Sequence, residues 1–406
     1  MRAPWISCIT VVALLLFALP ALGQAADQGF NPQPLLEQGV ELLKKGEADQ
    51  AEPLLRQAAL AAPEDALVYF YLGSAQMAQS EYSDAASSLR TALHLNEAKP
   101  SLGRANWREA QDNLGLALAF QQEYGQAKKV YEEALARDPD YPAFSYNLAC
   151  VCSRAGDRLG AIAALREALL ADARQESGPT LPDPSVDQDL KGLLGDPRFQ
   201  ATLLVAIGPQ PNDGPGSALM REGARLLSAG EDAAAEAKER AAIAAEPSSP
   251  RAWFFLGGAL EEQNRLPEAA EAYAKALAAD NPPGRVLSKP IRRHAFMAEG
   301  MAALAKGQGE AAAGFFQAAS ALDPFHPMAF YDLGRAFALQ GKMKEAAQAV
   351  RKAEDLKDNL TAVEGPLPDP AKDPAFDRWS KDPAWQALLS GETAAPPPGT
   401  PKAPVP

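Results

Sequence analysis

The chain has 406 residues, 47% hydrophobic but only 7% aromatic, so alanine and leucine must carry its core, which suits closely spaced helices better than sheets. A formal net charge of -13 has the wrong sign for a general nucleic-acid binder, which needs a basic face to release counterions. The same acidity repels anionic membrane surfaces. In chain order, residues 1–25 read as an export signal. Arg2 supplies the positive start, Ile6 to Leu19 an apolar core, Pro20 a helix break, and Ala21-Leu22-Gly23 the small residues of a cleavage site after Gly23 or Ala25. The apolar core is short for a membrane span, so a mature protein without stable membrane insertion is expected. An anchor retained by an uncleaved signal is the alternative.

From Pro32 onward one unit recurs. Tyr69-Phe70-Tyr71-Leu72-Gly73 followed by Asp84-Ala85-Ala86 matches Trp253-Phe254-Phe255-Leu256-Gly257 followed by Glu268-Ala269-Ala270. A frame of 34 residues fits eight times. Position 8 is Gly39, Gly73, Gly115, Ala149, Gly223, Gly257, Gly300 and Gly334, while positions 20 and 27 are alanine in every unit. The frame predicts a helix, a short turn and a second helix, with small residues letting the two axes approach. Position 24 is mostly bulky (Leu55, Tyr131, Tyr273, Phe316) and is expected to fill space between units; Glu239 departs from it.

Spacing reveals a duplication. Units begin near Pro32, Ala66, Arg108 and Pro142, then near Gly216, Pro250, Arg293 and Pro327, an offset of 184 or 185 residues. Inserts precede the third and seventh units and carry Lys99, Arg104 and Arg108, or Arg285, Lys289, Arg292 and Arg293. Each is expected to lengthen the following helix, with a basic edge for an acidic partner as the alternative. After each set of four comes an Asp-Pro helix start, Asp196-Pro197 and Asp382-Pro383. These are expected to cap the exposed ends of two arrays, 32–207 and 216–390. A Pro/Gly linker, 208–215, separates them, and a proline-rich tail, expected to be disordered, follows over 391–406.

These columns resemble the tetratricopeptide-repeat family over most of the chain. The resemblance implies an all-α solenoid, a right-handed superhelix of antiparallel helix pairs whose first helices line a concave groove.

Little in the sequence points to catalysis. The pieces outside the repeats are too short to house a catalytic domain, and His94, His294 and His326 fall in different units without neighbours at metal-ligand spacing. Cys150 and Cys152 lie two apart on one helix, facing different ways, so no disulfide joins them. No enzyme activity, cofactor or metal is expected.

Function is therefore expected in the groove, at positions that the family resemblance turns inward. These include Tyr71, Asn113, Tyr146, Asn147, Arg251, Phe254, Phe255, Tyr331 and Arg335, with His294, Met297 and Met301 also on that face. Aromatics give apolar contact, and asparagine pairs with an extended backbone. The leading expectation is a periplasmic or secreted adaptor of the bacterial envelope that binds peptides or helices of other proteins. A cell-wall or polysaccharide module, with the aromatics stacking on sugars, is the runner-up. Self-association of arrays is a third reading.

Overall fold

The computed structural model describes residues 31–175, 180–207 and 214–391. The expected leader, linker residues 208–213 and tail residues 392–406 lie outside them. All regular structure among the described residues is helical. The chain separates into two compact units, Met1–Pro139 and Asp140–Pro406.

The first unit contains three hairpins: α1 (Gln33–Lys44) with α2 (Ala48–Ala61), α3 (Ala66–Ala78) with α4 (Tyr82–Ala98), and α5 (Gly103–Phe120) with α6 (Tyr124–Arg137). The second opens with α7 (Pro142–Arg154) and α8 (Arg158–Asp172), then a 3-10 turn (Gln188–Leu193) and α9 (Pro197–Ile207). Four further hairpins, or their equivalents in the second set, follow as α10 (Pro215–Ser228) with α11 (Asp232–Ala245), α12 (Pro250–Glu262) with α13 (Leu266–Ala279), α14 (Lys289–Ala305) with α15 (Gly309–Leu322), and α16 (Pro327–Leu339) with α17 (Met343–Leu356). A 3-10 turn (Pro374–Trp379) and α18 (Pro383–Ser390) end the described chain.

Local chemistry sets these boundaries. Asp65, Asp157 and Ser249 cap helices by accepting from backbone N–H groups at Leu67, Gly160 and Ala252. Proline occupies the first turn of α7, α12 and α16, where no hydrogen bond is lost. The turn inside every hairpin passes through one residue of positive φ: Gly46, Ser80, Gln122, Gly156, Gly230, Asn264, Gly307 or Gly341. That residue lets the second helix fold back at once.

All sixteen aligned alanines at positions 20 and 27 are buried, among them Ala51, Ala127 and Ala276. The bulky residue at position 24 does something other than expected. It lies over the glycine at position 8 of its own hairpin, as Tyr131 over Gly115, Tyr273 over Gly257 and Phe316 over Gly300. A Cβ on any of these glycines would overlap the side chain above it. Glycine is needed here for room, and the pair fills the inside of a hairpin rather than the space between hairpins.

Successive hairpins are also joined by glutamines absent from the sequence reading. The Gln79, Gln121 and Gln340 amides donate to the carbonyls of Ala48, Tyr82 and Gly309, each at the start of the preceding hairpin's second helix.

Both inserts lengthen the helix that follows, since α5 and α14 start at Gly103 and Lys289, and several of their arginines pair with acids of the fold. Arg104 and Arg108 grip Asp138 at 2.6 Å each, and Arg293 reaches Asp323 at 3.2 Å. Burial opposes ionisation of Asp138, but Arg108 and Arg104 outweigh it and hold the acid at about 2. Those three arginines tie helix starts to the next loop, while Arg285 and Lys289 stay exposed.

The segment after the fourth hairpin is a joint as well as a cap. Phe199, Leu190 and Leu193 pack with Ala161, Leu165 and Ala168 of α8. From the same helix α9, Ala201 and Leu204 pack with the cluster of α10 and α12. Helices on the two sides of the expected linker, α9 and α10, thus pack in one cluster. The matching C-terminal segment has the capping role alone among the described residues: Phe376, Trp379 and Trp385 cover Tyr331, Ala346 and Val350, with the Phe376 and Trp385 rings stacked at 5.2 Å.

Candidate functional site

First helices of the second unit present their inward positions to segments of the same chain. The Tyr146 hydroxyl donates to Asp187 Oδ2 at 2.7 Å, and the Tyr331 hydroxyl to Asp373 Oδ2 at 3.0 Å. Asp187 and Asp373 are the N-caps of the two matching 3-10 turns, so the duplication extends to this tether. Burial, and then the neighbouring carboxylate, push both phenols above their ordinary value. On α12, a Cβ at Gly258 would overlap the ring of Pro197 from α9.

This corrects four expected ligand contacts. Tyr146, Phe254, Phe255 and Tyr331 are buried because the chain's own segments and neighbouring helices cover them. Phe254 packs on Tyr273 at 5.6 Å and edge-on to His294. Arg335 is half-buried between Asp332 at 3.1 Å and Asp373 at 3.5 Å. Asn147 is half-buried, and Arg251 is exposed at the start of α12. In the first unit, Tyr71 and Asn113 are half-buried, the former tilted against Phe70 at 4.9 Å.

Cys150, Asp187 and Asp189 bring three donor atoms within 4.8 Å of one another. Tyr146 already occupies Asp187, and Arg154 Nε meets Asp189 at 2.8 Å. Burial and then Asp187 push the Cys150 thiol up, keeping it protonated. The cluster is a tether, with its charge met by protein groups. Replacing Tyr146 with phenylalanine should weaken that tether by about 1.5–3 kcal/mol, the range for a hydrogen bond to a charged group. Amide exchange should speed up across residues 187–194 and stay unchanged in α1 and α2. Unaltered protection of 187–194 would contradict the tether.

An open cavity of about 600 Å³ remains between α12, α13 and α14. Met297, Ala298, Met301, Ala302 and Ala305 of α14 form one wall, Leu266, Pro267 and Ala269 of α13 the other, and Lys306 stands at the rim. Met301 and Leu266 are 42% and 53% exposed. The floor is polar. Glu261 Oε2 accepts from the Tyr273 hydroxyl and lies 3.0 Å from His294 Nε2. Burial opposes ionisation of Glu261, but His294 and Tyr273 outweigh it and hold the acid at about 2. In turn, burial lowers the His294 value, and Glu261 more than reverses this, so the imidazole is raised.

Sequence reasoning placed His294, Met297 and Met301 on the inward face yet favoured the aromatics. Glu261 and Tyr273 escaped it. Tyr273 carried a signal, since position 24 is a packing position and a phenol there needs a hydrogen-bond partner for its hydroxyl.

Sequence profiles of the tetratricopeptide repeat match residues 36–102, 118–177, 221–284 and 297–360, together more than half of the chain. The chain belongs to the tetratricopeptide-repeat family. Such repeats mark a protein-interaction scaffold, and tetratricopeptide-repeat proteins are generally non-enzymatic. Tetratricopeptide repeat protein 37 of Xenopus laevis is 26% identical over 262 residues, covering 64% of this chain and 16% of that protein, so the chain spans a small part of its length. Similar solved structures include a tetratricopeptide-repeat protein from Parabacteroides merdae (14% identity, 74% of this chain, 97% of that one, TM-score 0.31). Another is the C-terminal part of a repeat protein from Cytophaga hutchinsonii (14%, 73% and 99%, 0.36). A third is the human IFIT1 dimer with PPP-AAAA (17%, 80% and 67%, 0.33). Among the described residues of this tetratricopeptide-repeat protein, no helix is long and apolar enough to cross a membrane.

Proposed function

We propose that the protein is an envelope adaptor that holds a peptide or helix of a partner protein in the cavity between α12, α13 and α14. What supports this is the contrast along one face. Around Tyr146, Gly258 and Tyr331 the inward positions are taken by the chain itself, whereas beside Met297 and Met301 a largely apolar cavity stays open. Methionine surfaces adapt to varied apolar partners. Residues 1–25 support export of the protein to the periplasm or beyond. Sugar stacking has less support, because four of its five aromatics, Tyr146, Phe254, Phe255 and Tyr331, are buried.

A photoreactive amino acid in place of Met301, activated in intact cells, should give a discrete crosslinked protein band. The same group in place of exposed Lys275, on the second helix of the sixth hairpin, should not. Equal labelling from both positions, or none from Met301, would defeat the proposal.

A further inference from the structure

We propose that the cavity between α12, α13 and α14 selects a partner segment with a lysine or arginine anchor flanked by apolar residues. The inference rests on the groove reading above and specifies its ligand. The decisive feature is a carboxylate at the floor of apolar walls. Glu261 Oε2 is taken by Tyr273 and His294, while Oε1 accepts no hydrogen bond among the described residues and the side chain remains about one-third exposed. An ionised oxygen in such surroundings favours a charged donor over a neutral one, since screening by water is reduced.

Surrounding charge points the same way. Beside the Glu261–His294 pair lies a network of Asp196, Asp232 and Glu262 with Arg158 and Arg198, three acids against two cations. With Lys306 at the rim counted, Glu261 and these three acids equal the cations when His294 is an imidazolium and outnumber them by one when it is neutral, and the whole chain carries -13. An acidic anchor would be set against Glu261, and a purely apolar one would strip water from Oε1 without replacing it.

Shape supplies the rest. Lysine and arginine have aliphatic stems that lie along apolar surface while the charged head reaches a polar partner. Met297, Ala298 and Met301 provide that surface. The cavity exceeds one side chain, so Leu266 and Met301 at its mouth are left for apolar neighbours of the anchor. Lys306, at the rim, is placed to repel a segment carrying more than the one cation.

The test uses the full chain labelled with methyl-13C methionine, titrated with acetyl-Leu-Leu-Arg-Leu-Leu amide and with its Arg→Gln counterpart. Signals of Met297 and Met301, assigned through Met→Leu variants, should shift saturably with the arginine peptide. The glutamine peptide should bind roughly tenfold or more weakly, as loss of a charge-assisted hydrogen bond requires. Glu261→Gln should bring the two affinities together while the Met220 and Met343 signals hold their positions. Equal affinity for both peptides in the unaltered protein, which needs no variant, would overturn the basic anchor. So would silence at Met297 and Met301 with the arginine peptide. A partner crosslinked from Met301 whose contact segment lacks lysine and arginine would also overturn it, yet would leave the groove reading standing.

Discussion

Replacing Glu239 with leucine is expected to stabilise the α10–α11 hairpin by about 2–4 kcal/mol. Glu239 stands at position 24, where other hairpins carry Leu55, Leu89 or Tyr131 over a glycine, and it is 0% exposed. Neither carboxylate oxygen has a hydrogen-bond partner among the described residues. Leaving such a group unsatisfied costs about 1–3 kcal/mol, and full burial of a leucine contributes about 1.5–3 kcal/mol relative to exposure. Part of the second gain is already made by the glutamate stem. Leucine fits the site, because Leu55 lies over Gly39 much as Glu239 lies over Gly223.

Burial alone raises the Glu239 carboxyl well above its ordinary value of 4.5. The unfolded chain releases this proton above about 4.5 while the folded chain keeps it, so the unfolded state binds fewer protons and stability falls as pH rises. That fall amounts to about 1.4 kcal/mol per pH unit until the folded carboxyl itself ionises. Glu239→Leu should therefore gain most at alkaline pH, and Glu239→Gln should remove the slope while keeping much of the polar cost. Hydrogen exchange in α10 and α11 at pH 5 and pH 8 checks this hairpin by hairpin, which suits an array that opens in parts. A variant no more stable than the parent at pH 8 would count against the unsatisfied acid.

The architecture was legible in sequence because it depends on residues that repeat. A glycine at position 8 and alanines at 20 and 27 encode close axes wherever they occur, and the hairpin starts at Ala66, Pro142, Pro250 and Pro327 coincide with those of the frame. What the frame could not supply is non-repeating contact. Gly258 reads as an inward-facing position on any helix wheel, but it is covered by Pro197, from 61 residues earlier in sequence. Tyr146 and Tyr331 occupy equivalent places in two halves and looked like paired ligand contacts. Their shared partner is an aspartate of the segment that follows each set of four hairpins, visible only once that segment folds back. The same reasoning explains Glu261. On one helix it is one surface acid among many, and it acquires meaning when α13 and α14 bring Tyr273 and His294 beside it.

Glu262→Ala should be the most damaging single truncation at the joint around α9. One carboxylate oxygen of Glu262 binds Arg158 and the other lies 3.1 Å from Arg198, whose side chain is only 11% exposed. Arg158 also binds Asp196, at the start of α9, and Arg198 binds Asp232 at 2.7 Å. Removing the shared acid leaves two guanidiniums facing two separate aspartates with nothing between them, at a cost of about 3 kcal/mol, the lower end for breaking a buried pair. Asp196 and Asp232 remain, which keeps the figure from rising further. Loss of protection should appear in α9 and at the start of α11 and not in α15 or α17. A cycle with Arg198→Ala should show the two changes to be strongly non-additive. The joint also governs the groove, because Pro197 fills the space over Gly258. Loosening α9 should extend the open cavity from α14 toward α12, raising binding of an apolar dye by Glu262→Ala at temperatures below unfolding. Unchanged α9 protection together with unchanged dye binding would mean that apolar packing of Phe199, Ala201 and Leu204 holds the joint by itself.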